Sequence, residues 1–273
     1  MLTAREAVTS QAALGHRSGP SRRQDPLVEG LQRGGVVRWT RAGAVATAAL
    51  RCAAVAMIDR GENGMSTLKL WGIGTPRTLR VHWALHELGL AYDSEPVMPR
   101  SEGTRSSEYA RVNASRKVPT LVDGAWVLSE SGAIVNHLLR TYGGLKGLLP
   151  PAGGTPLARY EEWCYFALME LDATSTYVIR RHLDLHEVYG EAPAAIAAAR
   201  EYCAQALVVA AQRLGDAPFA MGDEFSGADI LLTTCLNSAV RRQIDMPPSL
   251  IRYRERATAR DAYRAAFASN HPT

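Results

Sequence analysis

From Leu68 the chain alternates apolar and polar positions, as in "TLKLWGI", and is rich in strand formers. The next stretch, "PRTLRVHWALHELGL", changes period: Leu79, Val81, Trp83, Leu85 and Leu88 fall on a largely buried helix that Gly89 ends. "AYDSEPVM" is a second short strand, which a right-handed crossover places parallel to the first. After a polar helical stretch around Ser106 to Arg111, the apolar runs "PTLV" and "AWVL" flank Asp123-Gly124, a strong hairpin signal. A helix follows from about Ser129 to Tyr142. This order, β-α-β, α, β-β-α, describes a compact mixed α/β layer over residues 65–146.

Pro150-Pro151 and Gly153-Gly154 then interrupt the pattern. Beyond them the periodicity is helical throughout: from a Thr155 N-cap and Pro156 to about 189, over 193–214 and 226–242, and in shorter pieces over 248–268. Residues 155–273 therefore read as an all-α domain. In "EFSGADI", Ser226 and Asp229 have the spacing of a capping box and Phe225 and Ile230 that of a hydrophobic staple, a folding element rather than chemistry.

Residues 1–64 mix Gly, Pro, Ser and Arg without sustained periodicity, and only 42–58 is apolar enough for a short helix. That run begins too far from the N-terminus, after several charges, for a signal peptide. The segment is expected to be a disordered extension, or the product of an upstream start codon before a domain that begins at Met65.

Charge changes the picture only when it is divided. The whole chain carries a formal +4, but residues 1–64 hold nine Arg against five acidic residues, which leaves 22 basic and 22 acidic residues in 65–273. The folded part is neutral, so total charge gives a nucleic-acid partner no support. The apolar runs are short and interrupted, so no membrane span is expected. Cys52, Cys164, Cys203 and Cys235 lie far apart, with no CxxC and no zinc spacing, and read as reduced, mostly buried thiols of a cytoplasmic protein. His182 and His186 stand one helical turn apart, but no third ligand is evident and no metal is expected; Tyr177, Arg180 and Arg181 share their solvated or substrate-facing helix. The five Arg between Arg252 and Arg264 read as a charged helical face.

The chemistry concentrates in "RKVPTLVDGAWVLSES". A proline inside a strand deletes a ladder hydrogen bond, so Pro119 marks a strand start or edge and leaves the Val118 backbone free for a ligand. Ser129-Glu130-Ser131 puts two hydroxyls and a carboxylate at a helix start, where unpaired amides and the positive dipole end favour an anion. The Ser131 hydroxyl with local amides, and Glu130 toward an ammonium group, describe a site for a zwitterionic α-amino acid head. The same residues also serve a purely structural reading, with a serine capping the helix, Glu130 in its first turn and Pro119 stiffening a loop.

"VPTL" before an Asp-Gly hairpin, "SES" at the next helix and "FSGADI" in a helical second domain resemble, in this order, the cytosolic glutathione transferases. The likeness covers residues 67–268 and ends in "YRERATARDAYRAAF", similar to the C-terminal helices of bacterial members. It implies a thioredoxin-like βαβαββα domain followed by a helical bundle that supplies an apolar pocket. It further implies that Val118, with Pro119 in the cis form, binds the cysteinyl part of glutathione. Glu130 and Ser131 would hold the γ-glutamyl head, and Lys117 or Arg116 would approach the glycyl carboxylate. In serine-type members the activating Ser lies six residues before the Val of an "RV" pair, and Val81 counts back to Thr75.

A free cysteine thiol with a pKa near 8.5 is only about 3% ionised at pH 7. Lowering that pKa by about two units takes roughly 2.7 kcal/mol. One hydrogen bond to the charged sulfur plus a helix N-terminus supply about that much. Thr75 is the natural N-cap of the first helix and the expected donor, with Thr78 the second candidate. Threonine departs from the usual serine, and Thr75 as a cap without chemistry stays open. The resemblance implies attack of bound thiolate on a small hydrophobic electrophile, in a cytoplasmic homodimer that uses glutathione as co-substrate. Isomerisation or dehalogenation with glutathione, and a non-catalytic glutathione-binding or regulatory module, are the alternatives.

Overall fold

The structure, a computed structural model, describes residues 68–144, 146–150 and 152–272. The expectations for 1–64, including the short helix over 42–58 and the state of Cys52, lie outside these residues. Strand β1 (Leu68–Trp71) leads through helix α1 (Pro76–Leu88) to β2 (Asp93–Glu95). Two short helices, α2 (Glu102–Arg105) and α3 (Ser107–Val112), precede the hairpin β3 (Thr120–Asp123) and β4 (Trp126–Ser129) and then α4 (Ser131–Tyr142). The sheet order is β2-β1-β3-β4, with β1 parallel to β2 and the other pairs antiparallel. This is the thioredoxin-like arrangement.

The element boundaries move where local chemistry is decisive. Asp123 pairs with Trp126 across the expected turn, and Thr120 with Ser129, so Ser129 stays in the strand and α4 starts only at Ser131. The helical stretch around 106–111 becomes two helices because Ser106 turns extended (ψ 151°) and its Oγ accepts the Tyr109 N–H at 3.0 Å. "AYDSEPVM" contributes only three strand residues, since the Val97 N–H turns back onto the Glu95 carbonyl at 2.8 Å.

The second part is helical. α5 (Gly154–Tyr165) begins two residues earlier than the Thr155-Pro156 cap predicts, because Gly153 (φ 87°) takes the N-cap. The rod continues through wide π turns over Phe166–Thr176, one α turn α6 (Tyr177–Ile179), and π turns over Arg180–Asp184. The Thr176 hydroxyl donates to the Leu171 carbonyl five residues back, the spacing of the wider turn. Leu185 (φ −126°, ψ 29°) breaks the rod before α7 (His186–Tyr189), so the single helix expected to 189 is divided. Then follow α8 (Pro193–Leu214), α9 (Gly227–Arg241), α10 (Pro248–Thr258) and α11 (Asp261–Asn270).

α8 is long and apolar enough, at 22 residues with mean hydropathy 1.3, to cross a membrane by length and composition. The sequence reading counts no such stretch; the difference is the alanine content of this helix. Here its Ala199, Cys203, Leu207, Ala210 and Leu214 are buried and it packs on the first π segment.

α1 is the central element, packed against α4 of its own layer and against α9 and α11 of the helical part. Val81, Trp83, Ala84 and Leu85 are fully buried, and each large apolar side chain removed from water stabilises by roughly 1.5–3 kcal/mol. Trp83 packs on Phe225 and edge-on to Tyr263, and its Nε1 donates to Glu87 at 2.9 Å. Arg260 grips the same Glu87 with two hydrogen bonds at 2.6 and 2.8 Å and lies over Phe225. The arginines of 252–264 are therefore not one solvated face: Arg260 ties α11's N-terminus to α1. Asp229 is buried and accepts the Ser226 N–H and hydroxyl, each at 2.8 Å, which fixes the start of α9 as the sequence predicts.

Candidate active site

Thr75 sits at the start of α1 in extended conformation (φ −128°, ψ 157°), with Pro76 behind it. Its Oγ1 accepts the Thr78 N–H at 3.0 Å, and Thr78 Oγ1 accepts the Thr75 N–H at 3.0 Å, a reciprocal cap. Asn270, from the last turn of α11, closes the network. Its Oδ1 lies 2.6 Å from Thr78 Oγ1, its Nδ2 donates to the Thr75 carbonyl at 3.2 Å, and its own carbonyl accepts the Gly74 N–H at 2.8 Å.

A hydroxyl has one hydrogen, and an amide oxygen only accepts. Thr78, fully buried, therefore spends its hydrogen inside this network, on Asn270 or on the Thr75 carbonyl at 2.9 Å. Thr78 as a second thiol donor is accordingly replaced by Thr78 as the residue that orients Thr75. Thr75 keeps a hydrogen that points either to Thr78 Oγ1, 2.9 Å away, or into the cleft that Thr75 lines.

The second corner is built around Arg80, which is 1% exposed in the middle of an apolar helix face. Its Nη1 donates to the Ser131 hydroxyl at 3.1 Å, its Nε to Thr234 at 2.8 Å, and its Nη2 to Asp172 at 2.8 Å. Asp172 also takes a two-pronged grip from Arg77 at 3.1 and 3.0 Å. Burial works to raise the Asp172 pKa, but the two guanidinium groups outweigh it and hold the carboxyl below its ordinary value. Because Arg80 occupies a lone pair of the Ser131 oxygen, the Ser131 hydrogen is left to be donated elsewhere.

The third corner is the Val118–Pro119 peptide, which is cis. Among the described residues neither the N–H nor the carbonyl of Val118 has a hydrogen-bond partner. The loop is fixed from behind: the Lys117 carbonyl accepts the Tyr109 hydroxyl at 2.6 Å and Asn113 Nδ2 at 3.0 Å. Gly72 (φ 119°) lies directly against it, and a Cβ there would stand 2.5 Å from Val118 Cβ and 3.0 Å from the Thr78 methyl. Gly72 thus brings the Val118 loop onto the Thr75–Thr78 cap. His82 anchors this glycine: its Nε2 donates to the Gly72 carbonyl at 3.3 Å and its Nδ1 accepts from Tyr92 at 2.7 Å, an assignment that the carbonyl dictates. Arg116, exposed, donates to the Arg105 carbonyl at 3.1 Å, which leaves Lys117 the freer cation of the pair.

Glu130 has φ 67° and ψ 110°, outside the ordinary range of a side-chain-bearing residue. Such a conformation costs about 1–3 kcal/mol and persists only where the surroundings impose it. Among the described residues its carboxylate has no hydrogen-bond donor, and it acts on Arg77 through charge alone.

Thr75, Val118, Glu130 and Ser131 are therefore brought to one end of α1 and its neighbours, although 56 residues separate the first from the last. Beside Thr75 opens a cleft of about 440 Å³ between the two parts, with Tyr177, Leu185, Tyr263 and Phe267 among its walls. It is less apolar than the resemblance implies, since arginines from the rod, α9 and the following helix also line it. Arg80, Asp172 and Asn270 escape the sequence reading. The signal for Arg80 was a charge within the apolar "LRVHWAL", which needs a buried partner; Asp172 shares "MELDAT" with Glu170, so the sequence does not single it out.

A profile of the glutathione S-transferase N-terminal domain matches residues 66–140. The chain is 29% identical over 168 residues to glutathione S-transferase 3 of Zea mays, covering 60% of this chain and 75% of the maize protein. A glutathione S-transferase-like protein of Aspergillus terreus is 31% identical over 101 residues; the match spans 36% of this chain and 44% of that one. Among solved structures, the theta class glutathione S-transferase of Xanthomonas axonopodis pv. citri, with glutathione bound, aligns at TM-score 0.66 and 27% identity. That alignment covers 74% of this chain and 98% of the Xanthomonas chain.

Proposed function

As this chain belongs to the cytosolic glutathione transferase superfamily, we propose that it is a transferase with glutathione as co-substrate, conjugating the bound thiolate to a small electrophile with a hydrophobic body. The observation that carries this reading is the Ser131 hydroxyl, buried and held by Arg80, next to a Glu130 forced into a left-handed backbone. A donor hydrogen and a free carboxylate at one helix start match the carboxylate and ammonium of the γ-glutamyl head. The Val118 backbone would take the cysteinyl unit, Pro119 shapes that turn, and Lys117 or Arg116 would meet the glycyl carboxylate. Thr75 would then donate to the sulfur, aided by the N-terminus of α1, which favours negative charge. In this reading residues 65–146 bind glutathione and 155–273 supply the second-substrate pocket, in a cytoplasmic homodimer.

One observation favours a second reading, a glutathione-binding module without activation. Thr75 already accepts one hydrogen bond from Thr78 and lies 2.9 Å from its hydroxyl, so the cap alone accounts for it. A titration of glutathione followed by thiolate absorbance separates the two. A bound thiol that ionises well below pH 8 supports transfer chemistry; a bound thiol with an ordinary pKa supports the module. No binding at all overturns both.

A further inference from the structure

The charge of the cleft beside Thr75 is out of balance. Five arginines line it, Arg77, Arg180, Arg241, Arg242 and Arg254, against two aspartates, Asp172 and Asp184. The aspartates are already taken. Asp172 holds Arg77 together with the buried Arg80, and Asp184 pairs with Arg242 at 2.7 Å. Arg254 donates through Nε to a neutral partner, Asn237 Oδ1, at 2.6 Å. Among the described residues, the guanidinium groups of Arg180 and Arg241 have neither a hydrogen bond nor an ion pair. The buried Nε of Arg242 also lacks an acceptor.

Arg180 is the informative member. It is half-buried, and burial above all, with the nearby charges of Arg100 and Arg77, lowers its pKa from the usual arginine value against the opposing influence of Tyr177 and Asp184. It projects from the second π segment, one turn beyond Tyr177, whose ring carries Arg77 at 4.3 Å. An apolar guest gains nothing from unpaired guanidinium groups and must leave them desolvated without partners, which is costly. A carboxylate instead matches the planar fork of an arginine.

We infer that the second substrate is an electrophile carrying a carboxylate, with its charged end on Arg180 and Arg241 and its apolar body against Tyr177, Leu185 and Phe267. This rests on the transferase reading for its chemistry and deepens it by naming the substrate class. For an activated aryl chloride the step is balanced: the glutathione sulfur attacks the carbon bearing chlorine, the C–S bond forms, the C–Cl bond breaks, and chloride leaves with the electron pair. The thiol proton has gone to solvent beforehand.

The test compares 4-chloro-3,5-dinitrobenzoate with its neutral methyl ester, each rate divided by its uncatalysed reaction with glutathione. The full chain is expected to favour the acid at least tenfold in kcat/KM, through KM, and raised salt should shrink the preference. Arg180→Met should lower the acid-to-ester ratio at least tenfold, with Arg180→Lys retaining part of it. Arg241→Met repeats the test at an exposed position where packing is not at stake. A binding arm uses the unreactive 4-methyl-3,5-dinitrobenzoate and its ester in calorimetry. Tighter binding of the carboxylate, lost in Arg180→Met, supports the site even if no turnover is seen, in which case only the transferase reading fails. Turnover or binding of the ester equal to that of the acid, or a ratio unmoved by both variants, overturns the inference while glutathione conjugation stands.

Discussion

The Arg80 guanidinium and the Ser131 hydroxyl, 51 positions apart, meet at 3.1 Å with both residues buried. An arginine on the buried face of α1 thereby sets the rotor of a hydroxyl at the start of α4. Arg80 is in turn neutralised by Asp172 of the helical part, so the start of α4 and the rod are one electrostatic unit.

Asp172→Asn removes the charge that neutralises Arg80. A buried cation left unpaired costs about 3–5 kcal/mol, so the denaturation midpoint should fall by that equivalent. Glutathione affinity should fall as well, because Arg80 is freed to move from Ser131. A variant with wild-type stability would show that Arg80 finds another partner or water, and that Asp172 is not what holds this corner.

Thr75 and Thr78 should separate in their effects. Thr75→Ala removes the N-cap acceptor, costing about 1 kcal/mol of stability, and on the transferase function proposed above it should also raise the pKa of bound glutathione thiol. Thr75→Ser should restore both. Thr78→Val should disturb stability through Asn270 while leaving the thiol pKa closer to wild type. If Thr75→Ala leaves the thiol titration unmoved, the threonine is only a cap.

Glu130→Gly offers opposite readouts. Glycine adopts φ 67° without a side-chain clash, so part of the strain, about 1 kcal/mol, is relieved and stability should be equal to or above wild type. If Glu130 meets the ammonium group as proposed above, glutathione binding should weaken. A loss of stability would show that the carboxylate supports the fold.

His82 gives the protein an acid-sensitive component. Burial, foremost, together with the charges of His86 and His271, outweighs its bond to Gly72 and lowers its pKa from 6.5 to about 4. Between those values the unfolded chain binds a proton that the native chain does not. Stability is thus present above pH 6.5 and lost as the pH falls toward 4, by about 3 kcal/mol from this group. Denaturation across this range should show the slope, and His82→Gln should flatten it. A slope unchanged in the variant would assign the acid sensitivity to other groups.

Cys164, Cys203 and Cys235 are buried, and burial raises their thiols to about 12, 11 and 12. None should react with an aromatic disulfide reagent in the native state at pH 8, and all three should react in denaturant. Labelling of the folded protein at any of them would contradict the packing around α8 and α9.

The fold was legible because its determinants are local. Asp123-Gly124 specified the hairpin, Gly89 the end of α1, and Ser226 with Asp229 the start of α9. The candidate site was legible where its residues cluster, from Val118 to Ser131. What escaped were relations across long separations. Nothing in the neighbourhood of Asn270 shows that it reaches Thr75, and no periodicity ties Asp172 to Arg80. The π turns were also hidden, because wide and ordinary helical turns share one pattern of apolar positions over a few residues. The charge of the cleft was missed for the same reason: Arg180, Arg241 and Arg254 come from three separate helical segments.

The Asn270 latch makes the order of synthesis matter. Its two bonds to the threonine cap span 195 and 192 positions. A ribosome can thus release the whole sheet, α1 and the Val118 loop into folding long before Asn270, which closes the threonine cap, exists. On the function proposed above, a nascent chain stalled before residue 270 would carry the Val118 loop and the start of α4 in place while its threonine cap is still unlatched.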